Sequence, residues 1–313
     1  MINKEILFKE LIKNGHSKEN GSKVWSIANR SFRYINLEMT KAFLKIREHP
    51  RYKATITNAE IKLLRDNISR FLDSVKESQF NLIDMNCIRG EKAVEIMKTL
   101  PKTMKLRYCP VSVNEDLIKM TLENLKKQKY ENLIDYAPRI TKDFESFDQV
   151  GAALRNTTYQ KNVYLLLSSL ISSFEINDYL FRLSQPMFPG DLLVIGNGIR
   201  TGERFVHLEV YKNPMFNNWL IHLMRQLGFK DEEVSYDARF ANNRLEAYYT
   251  INVDKTIESE GKKINFKKGD KIIVAFQYKL YEEELKNFCK MYFETVELVK
   301  DPEGEYALVL CKK

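Results

Sequence analysis

Residues Asn162-Val-Tyr-Leu-Leu-Leu-Ser-Ser-Leu-Ile-Ser-Ser-Phe-Glu175 run from an apolar stretch into a cluster of small hydroxyl side chains. After an intervening helix, Phe188-Pro-Gly-Asp-Leu-Leu-Val-Ile-Gly-Asn-Gly198 leads from a Pro-Gly-Asp turn into a second apolar stretch. The order strand, loop, helix, turn, strand is one α/β crossover unit, with small residues at the carboxyl end of its first strand. Open parallel sheets bind ligands just beyond those carboxyl ends. The passage therefore limits the fold and says where in it a site would lie.

The flanking sequence extends the pattern. Phe80 to Asn86 predicts a strand ending in an acid, and Glu91 to Thr99 a helix. Leu106 to Val113 predicts a second strand, and Asn114 caps a helix through Leu125. A looser segment near Ile134 to Phe144 and a helix near Phe147 to Arg155 precede the crossover unit. Strands alternating with helices predict a parallel sheet covered on both faces. Before Phe80 the spacing is helical, as at Ile61, Leu64, Ile68 and Phe71-Leu72, with no strand-like run. Thr57-Asn-Ala-Glu60 has the form of a capping box. After Arg200 the alternation breaks: a helix over Met215 to Leu227 stops at Gly228, and two period-2 strands meet at Ala241-Asn-Asn243. Lys271 to Phe276 reads as a strand and Tyr281 to Met291 as a helix. Phe293 to Val299 and Tyr306 to Cys311 form a hairpin around Asp301-Pro-Glu-Gly304.

Composition narrows the function classes. The longest apolar runs are far too short to cross a bilayer, and the amino terminus lacks a signal-peptide core, so a cytoplasmic protein with no membrane partner is expected. The four cysteines and four histidines have no metal-ligand spacing, and no metal is expected. The net charge of +8 is dispersed. The clusters at Lys126, Lys127, Lys129 and Lys262–Lys271 read as solvated helix and loop surfaces, and nucleic acid is not the expected partner unless they converge on one face.

The motifs, in order, resemble those of the histidine-specific S-adenosylmethionine (SAM, AdoMet) methyltransferase family, typified by histidine Nα-methyltransferases. His49-Pro-Arg-Tyr-Lys-Ala-Thr-Ile-Thr-Asn-Ala-Glu60 resembles the family's Pro-Glu-Tyr-Tyr-Pro-Thr-Arg-x-x-Glu element. Leu82 to Lys92 stands where the family has a Glu-Leu-Gly-Ser-Gly loop followed by Lys. Tyr108-Cys-Pro-Val-Ser-Val-Asn114 is similar to Tyr-x-Pro-Val-Asp-Val-Ser. Leu167-Ser-Ser-Leu-Ile-Ser-Ser-Phe174 is similar to Leu-Gly-Ser-Thr-Ile-Gly-Asn-Phe. Pro189-Gly-Asp191, Arg244-Leu-Glu246 and Gly269-Asp270 with Lys279 follow at matching places. The resemblance implies a class I AdoMet methyltransferase-like (Rossmann-like) α/β sheet with a helical N-terminal region and an α+β insertion. The expected divisions are residues 1–75 (helical), 76–200 with 271–313 (methyltransferase core) and 201–270 (inserted substrate-side subdomain).

By the same resemblance, SAM is the expected cofactor, and the cofactor-binding residues are Asp84, Asn86, Lys92, Ser112 and Asp143. Asp84 would pair with the methionyl ammonium; read by itself, it caps its own loop. Lys92 matches a lysine near the cofactor carboxylate, or is a solvated residue of a first helical turn. Asp143 matches the acid near the adenine amino group, or is a solvated turn acid. Ser112 replaces a carboxylate that accepts two ribose hydroxyls, and a neutral acceptor is about half as strong as a charged one. Asn86, Cys87 and Ile88 replace Gly-Ser-Gly, whose missing Cβ atoms let backbone approach the cofactor.

The substrate-binding residues implied are Tyr52, Ser173, Glu246 and Gln277. Ser173 stands where the family's Asn holds the histidine amine, and Ala275 and Gln277 stand where Glu and Ser contact the imidazole. Polar recognition loses its discrimination once its partners change. The expected activity is thus SAM-dependent N-methylation of a small amine or amino-acid-like molecule other than histidine, with no catalytic base identifiable. The alternative is a catalytically inactive methyltransferase-fold protein that serves as a binding module or partner subunit.

Overall fold

The computed structural model describes residues 4–34, 36–73, 75, 79–100, 106–130, 139–140, 148–202 and 208–313. The strands, in chain order, are β1 (His16–Glu19), β2 (Ser22–Ser26), β3 (Phe80–Met85), β4 (Leu106–Ser112), β5 (Arg139–Ile140), β6 (Lys161–Leu166) and β7 (Leu192–Gly198). They continue as β8 (Val234–Ala241), β9 (Arg244–Ile251), β10 (Lys255–Ser259), β11 (Lys262–Phe266), β12 (Lys271–Tyr278), β13 (Thr295–Lys300) and β14 (Tyr306–Lys312). The chain forms two compact units, residues 1–49 with 205–279 and residues 50–204 with 280–313.

The second unit is built on a seven-stranded sheet of order β13-β14-β7-β6-β3-β4-β5. β3 pairs in parallel with both β4 and β6, and β6 with β7. β14 runs antiparallel to β7 and β13. This is the doubly wound sheet with a terminal antiparallel hairpin that the alternation predicts, and the strand order reverses at β3/β6. That reversal is where ligands enter such sheets. The helix Ala59–Leu72 covers one face because Leu64, Ile68 and Leu72 recur at i, i+4 and are all buried with Leu82, Val194 and Leu308. Each such side chain contributes roughly 1.5–3 kcal/mol of burial. Asn114 caps the helix Glu115–Lys127 as expected, accepting from the amides of Asp116 and Leu117.

The first unit holds a five-stranded sheet of order β1-β2-β12-β9-β8 and the separate β10–β11 hairpin. Three expectations are corrected in these two units. First, the amino-terminal region is not wholly helical. β1 and β2 turn at Asn20-Gly21, both left-handed (φ 49° and 84°). An Asn-Gly pair is a strong hairpin signal, but the flanking strands are too polar to show period-2 alternation. Second, the segment around Lys262 is a hairpin strand with a turn at Glu260-Gly261, not a solvated loop. Third, the strand expected at Lys271–Phe276 in the methyltransferase sheet pairs with β9 and β2. Its apolar run fits either sheet, and pairing partners are not encoded in hydrophobicity.

Candidate functional site

The β3/β6 reversal is flanked by two loops with unusual backbones. After β3, Asn86 and Ile88 have φ of 71° and 45°; after β6, Ser168 and Ser169 have φ of 63° and 52°. Left-handed backbone costs a residue with a Cβ roughly 1–2 kcal/mol, least for Asn. A β-branched residue there is a genuine outlier. Ile88 and Asn86 occupy the places of the two glycines in Gly-Ser-Gly, and Ser168 that of the glycine in Leu-Gly-Ser. The glycine-type backbone is therefore kept without the glycines.

Such strain persists where surroundings over-determine it, and both loops are tied down. The amides of Asn86 and Cys87 donate to the Val111 carbonyl at 2.9 and 3.2 Å. The Asn124 side chain donates to the Arg89 carbonyl at 2.8 Å. Gly90 closes the turn with φ of 67°, and a Cβ there would meet Thr121 Cγ2 at 2.8 Å. In the other loop, the Ser169 amide donates to Gly196 O at 2.9 Å, and the Gly198 amide to Ser169 Oγ at 2.9 Å.

One buried carboxylate organises this second loop. Glu60 Oε1 accepts the Ser168 amide at 2.8 Å and the Tyr306 hydroxyl at 2.6 Å, while Oε2 is ion-paired to Lys92. Lys92 Nζ also donates to Ser168 Oγ at 2.5 Å. Glu60 presses so closely on β7 that a Cβ at Gly196 would lie 1.8 Å from Oε1. Thr57 and Glu60 consequently do not form the expected capping box. A π-helical turn, Lys53–Asn58, runs straight into the helix Ala59–Leu72, so there is no free helix start to cap. Burial pushes the Tyr306 hydroxyl far above its ordinary range. It remains a proton donor to Glu60.

Asp84 is buried at the end of β3 and accepts the Tyr108 hydroxyl at 2.8 Å. Burial and the Asp84 charge hold that tyrosine protonated well above its usual range. Ser112 is buried at the end of β4, where its hydroxyl accepts the Asn114 amide at 3.1 Å. Lys92 is buried and ion-paired, not solvated. Asn86 differs from all of these. It is buried, and among the described residues neither its Oδ1 nor its Nδ2 has a hydrogen-bond partner. Ile88, beside it, is buried as well. Asp143 lies outside the described residues.

The predicted substrate residues divide between the units. In the second unit, Tyr52 is half-buried in a short helical turn, and Ser173 is buried in a 3-10 turn, Ile171–Ser173, after β6. In the first unit, Glu246 on β9 is 1 % exposed and held by two arginines, Arg239 Nε and Arg244 Nε, each at 2.9 Å. Arg239 lies directly across from it in the β8–β9 register, so the pairing follows from the hairpin. Gln277, near the end of β12, accepts a hydrogen bond from the Tyr211 hydroxyl. Lys279 follows two residues on, with Nζ 5.7 Å from the Tyr211 ring centroid. Desolvation pushes the Lys279 amine down to about 8 and the Tyr211 hydroxyl up to about 12.

Residue-by-residue reading missed Glu60 and Tyr306 as organisers of the site. A buried Glu at the end of the His49–Glu60 element was visible only as a cap pattern. No local signal ties Tyr306 to it across so much sequence.

A family model described as "Histidine-specific methyltransferase, SAM-dependent" matches residues 40–313. Among solved structures, a SAM-dependent methyltransferase from Clostridium acetobutylicum is similar at 13% identity and a TM-score of 0.44, over 87% of this chain and 98% of that one. The PH0226 protein from Pyrococcus horikoshii is similar at 11% identity and a TM-score of 0.46, over 88% and 99%. SAM-bound CalS10, an amino pentose methyltransferase from Micromonospora echinaspora, is similar at 12% identity and a TM-score of 0.42, over 89% and 98%. No curated protein matches by sequence. Among the described residues, no helix is long and apolar enough to cross a membrane.

Proposed function

We propose that this chain, which belongs to the histidine-specific, SAM-dependent methyltransferase family, binds SAM at the β3/β6 reversal and methylates the nitrogen of a small, non-histidine amine or amino-acid-like molecule. The observation that carries the cofactor half is the Asn86 side chain, buried with both amide atoms unpartnered. A buried amide without partners costs roughly 1–3 kcal/mol by mutational measure. A carbonyl oxygen and an NH2 side by side match the ammonium and carboxylate of a methionyl group, one accepting and one donating. Asp84 and Ser112, at the ends of β3 and β4, are the further residues assigned to the cofactor. Asp143 is assigned to the same set on its motif alone.

Lys92 has a narrower role than the resemblance implies. Its ammonium is already compensated by Glu60 and Ser168. It holds the Ser168 turn in place first, and any contact with the cofactor carboxylate is secondary. When bound, SAM supplies an activated methyl group; the protein has only to orient a neutral amine toward it and let a proton leave. Tyr52 and Ser173 are assigned to the acceptor. The loss of an acid at Ala275 and the commitment of Glu246 to two arginines argue against an imidazole acceptor, whose N–H donors call for a free acceptor group. We assign the reaction to the cytoplasm, in keeping with four buried free cysteines.

One observation favours a second reading, a catalytically inactive binding module or partner subunit: the buried Ile88 side chain stands where the family motif has a glycine. The test is release of S-adenosylhomocysteine from SAM over a panel of small amines, with histidine included. Release with a non-histidine amine supports the proposal. Release with histidine alone overturns the acceptor assignment, and release with none supports the inactive relative.

A further inference from the structure

The second unit carries an exposed apolar surface that the β3/β6 site does not use. Among the described residues, Phe181, Phe188 and Met291 are the most exposed large apolar side chains, at 48, 53 and 56 %. Phe181 lies on the helix Ile176–Ser184, and Met291 directly follows the helix Glu282–Lys290. Tyr292 joins them. Its ring centroid is 6.1 Å from that of Phe181, and its hydroxyl donates to Asn177 Oδ1 at 2.5 Å. Lys313 links Phe188 to the group: its ammonium donates to the Tyr292 carbonyl at 3.3 Å, and its backbone oxygen accepts the Gly190 amide at 2.7 Å. Gly190 leads into β7, which runs parallel to β6, so Phe188 lies at the amino-terminal end of the parallel strands. The loops after β3 and β6 leave from the opposite, carboxyl end, where ligands bind. A small molecule held at the β3/β6 reversal does not account for this surface.

Large apolar side chains gathered at a surface mark a place that a partner covers. The charges beside them indicate which partner. Asp178 and Arg182 stand one turn apart on one face of the helix that carries Phe181, with Oδ2 and Nε 4.0 Å apart and the Asp178 side chain 73 % exposed. So long and exposed a contact adds little to the stability of the chain. A copy of the same helix laid antiparallel reverses the order of acid and base, and sets each Asp178 against the other copy's Arg182. A two-fold contact requires such self-complementarity, because the same patch is used on both sides. At Phe188, the Arg155 guanidinium stacks 4.2 Å from the ring centroid and is itself ion-paired to Asp191. The charges against the two phenylalanines thus come as matched acid–base pairs. That pattern suits a copy of this chain better than a polyanion or an anionic membrane.

We propose that Phe181, Phe188, Met291 and Tyr292 form the centre of a two-fold homodimer interface, in which the helix Ile176–Ser184 packs antiparallel to its copy. Asp178 and Arg182 pair across the axis and fix the register. Aromatic anchors at the middle of an interface supply most of its affinity. The interface lies within the second unit, and its formation needs neither SAM nor an acceptor.

The experiment is sedimentation equilibrium of the full-length, ligand-free protein across the micromolar range. The wild-type mass is expected to rise with concentration from one chain, 36.9 kDa, toward two. Phe181→Glu should weaken association by about a hundredfold, because the change enters the contact twice. Met291→Glu, at a helix end, gives the same reading if Phe181→Glu fails to fold by circular dichroism. Asp178→Arg should weaken association by about tenfold by opposing like charges, and Asp178→Arg with Arg182→Asp should restore it. A wild-type chain that stays monomeric throughout overturns the proposal, as does a dimer insensitive to both glutamate variants. Failure of the double variant to restore association overturns the antiparallel pairing. Monomeric protein that sediments with vesicles of phosphatidylcholine and phosphatidylserine assigns the surface to a membrane and overturns the second copy.

Discussion

The proposed cofactor side and the proposed acceptor side depart from the family motifs in different ways. At the β3/β6 reversal, three glycine places carry side chains, yet Asn86, Ile88 and Ser168 all keep left-handed backbones. On β12, the backbone is an ordinary bulged strand, and it is the chemistry of Ala275 and Gln277 that differs from the family motif. A cofactor bound through backbone geometry tolerates changed side chains so long as its loops are held, and here hydrogen bonds to Val111, Gly196 and Glu60 and from Asn124 hold the two loops. A substrate read by side chains does not tolerate such changes. Retained loop geometry with altered acceptor chemistry is what a methyltransferase with a different acceptor would have.

The comparison breaks most readily at Glu60. Glu60→Ala leaves Lys92 buried without its partner, which should cost about 3–5 kcal/mol, read as a lower urea midpoint. Glu60→Ala with Lys92→Met should recover much of that loss. If the single variant is as stable as wild type, the Ser168 loop is not held by this pair.

Tyr306→Phe removes a hydrogen bond to the same carboxylate. A loss of about 1.5–3 kcal/mol is expected from a bond to a charged group, measured in the same way. A neutral result would mean Glu60 is fixed by Lys92 and the Ser168 amide alone.

Ile88→Gly sharpens the comparison because two effects oppose. Removing the buried side chain costs roughly 1.5–3 kcal/mol, and relief of left-handed strain returns roughly 1–2 kcal/mol. Stability should therefore fall by only about 1 kcal/mol, while SAM affinity, followed by calorimetry, should rise. Weaker binding would show that the Ile88 side chain supports the cofactor site.

The last effect is read as a pH dependence, at Lys279. Its amine is at about 8 in the folded protein and at an ordinary lysine value of 10.5 when unfolded. Between those values the unfolded chain holds more protons, so this residue makes stability rise as pH climbs through 8 and level off near 10.5. Lys279→Met should abolish that rise and be slightly more stable than wild type at pH 7. Parallel pH profiles of the two proteins would contradict the desolvated amine.

The sheet was legible because its strands are buried, apolar and separated by helices with clear caps, such as Asn114 before Glu115. The polar hairpins were not. Strands such as His16–Glu19 and Lys262–Phe266 have exposed faces, and their turns, Asn20-Gly21 and Glu260-Gly261, are the only strong local sign. At the site, the loops were found through motif position, but their conformation was not. Asn-Cys-Ile does not announce a glycine-type backbone, since the contacts that impose it come from β4 and the helix Glu115–Lys127. The pairing of Glu60 with Lys92 and Tyr306 is a fact of tertiary packing, beyond any window of sequence.

The most direct test of retained cofactor binding with altered acceptor chemistry is calorimetry in two stages on purified, ligand-free protein. SAM is titrated first, and histidine is then titrated into protein saturated with S-adenosylhomocysteine. The expected result is SAM binding at micromolar affinity, about −8 kcal/mol, with no heat from histidine. Absence of SAM binding, or saturable binding of histidine, would contradict it.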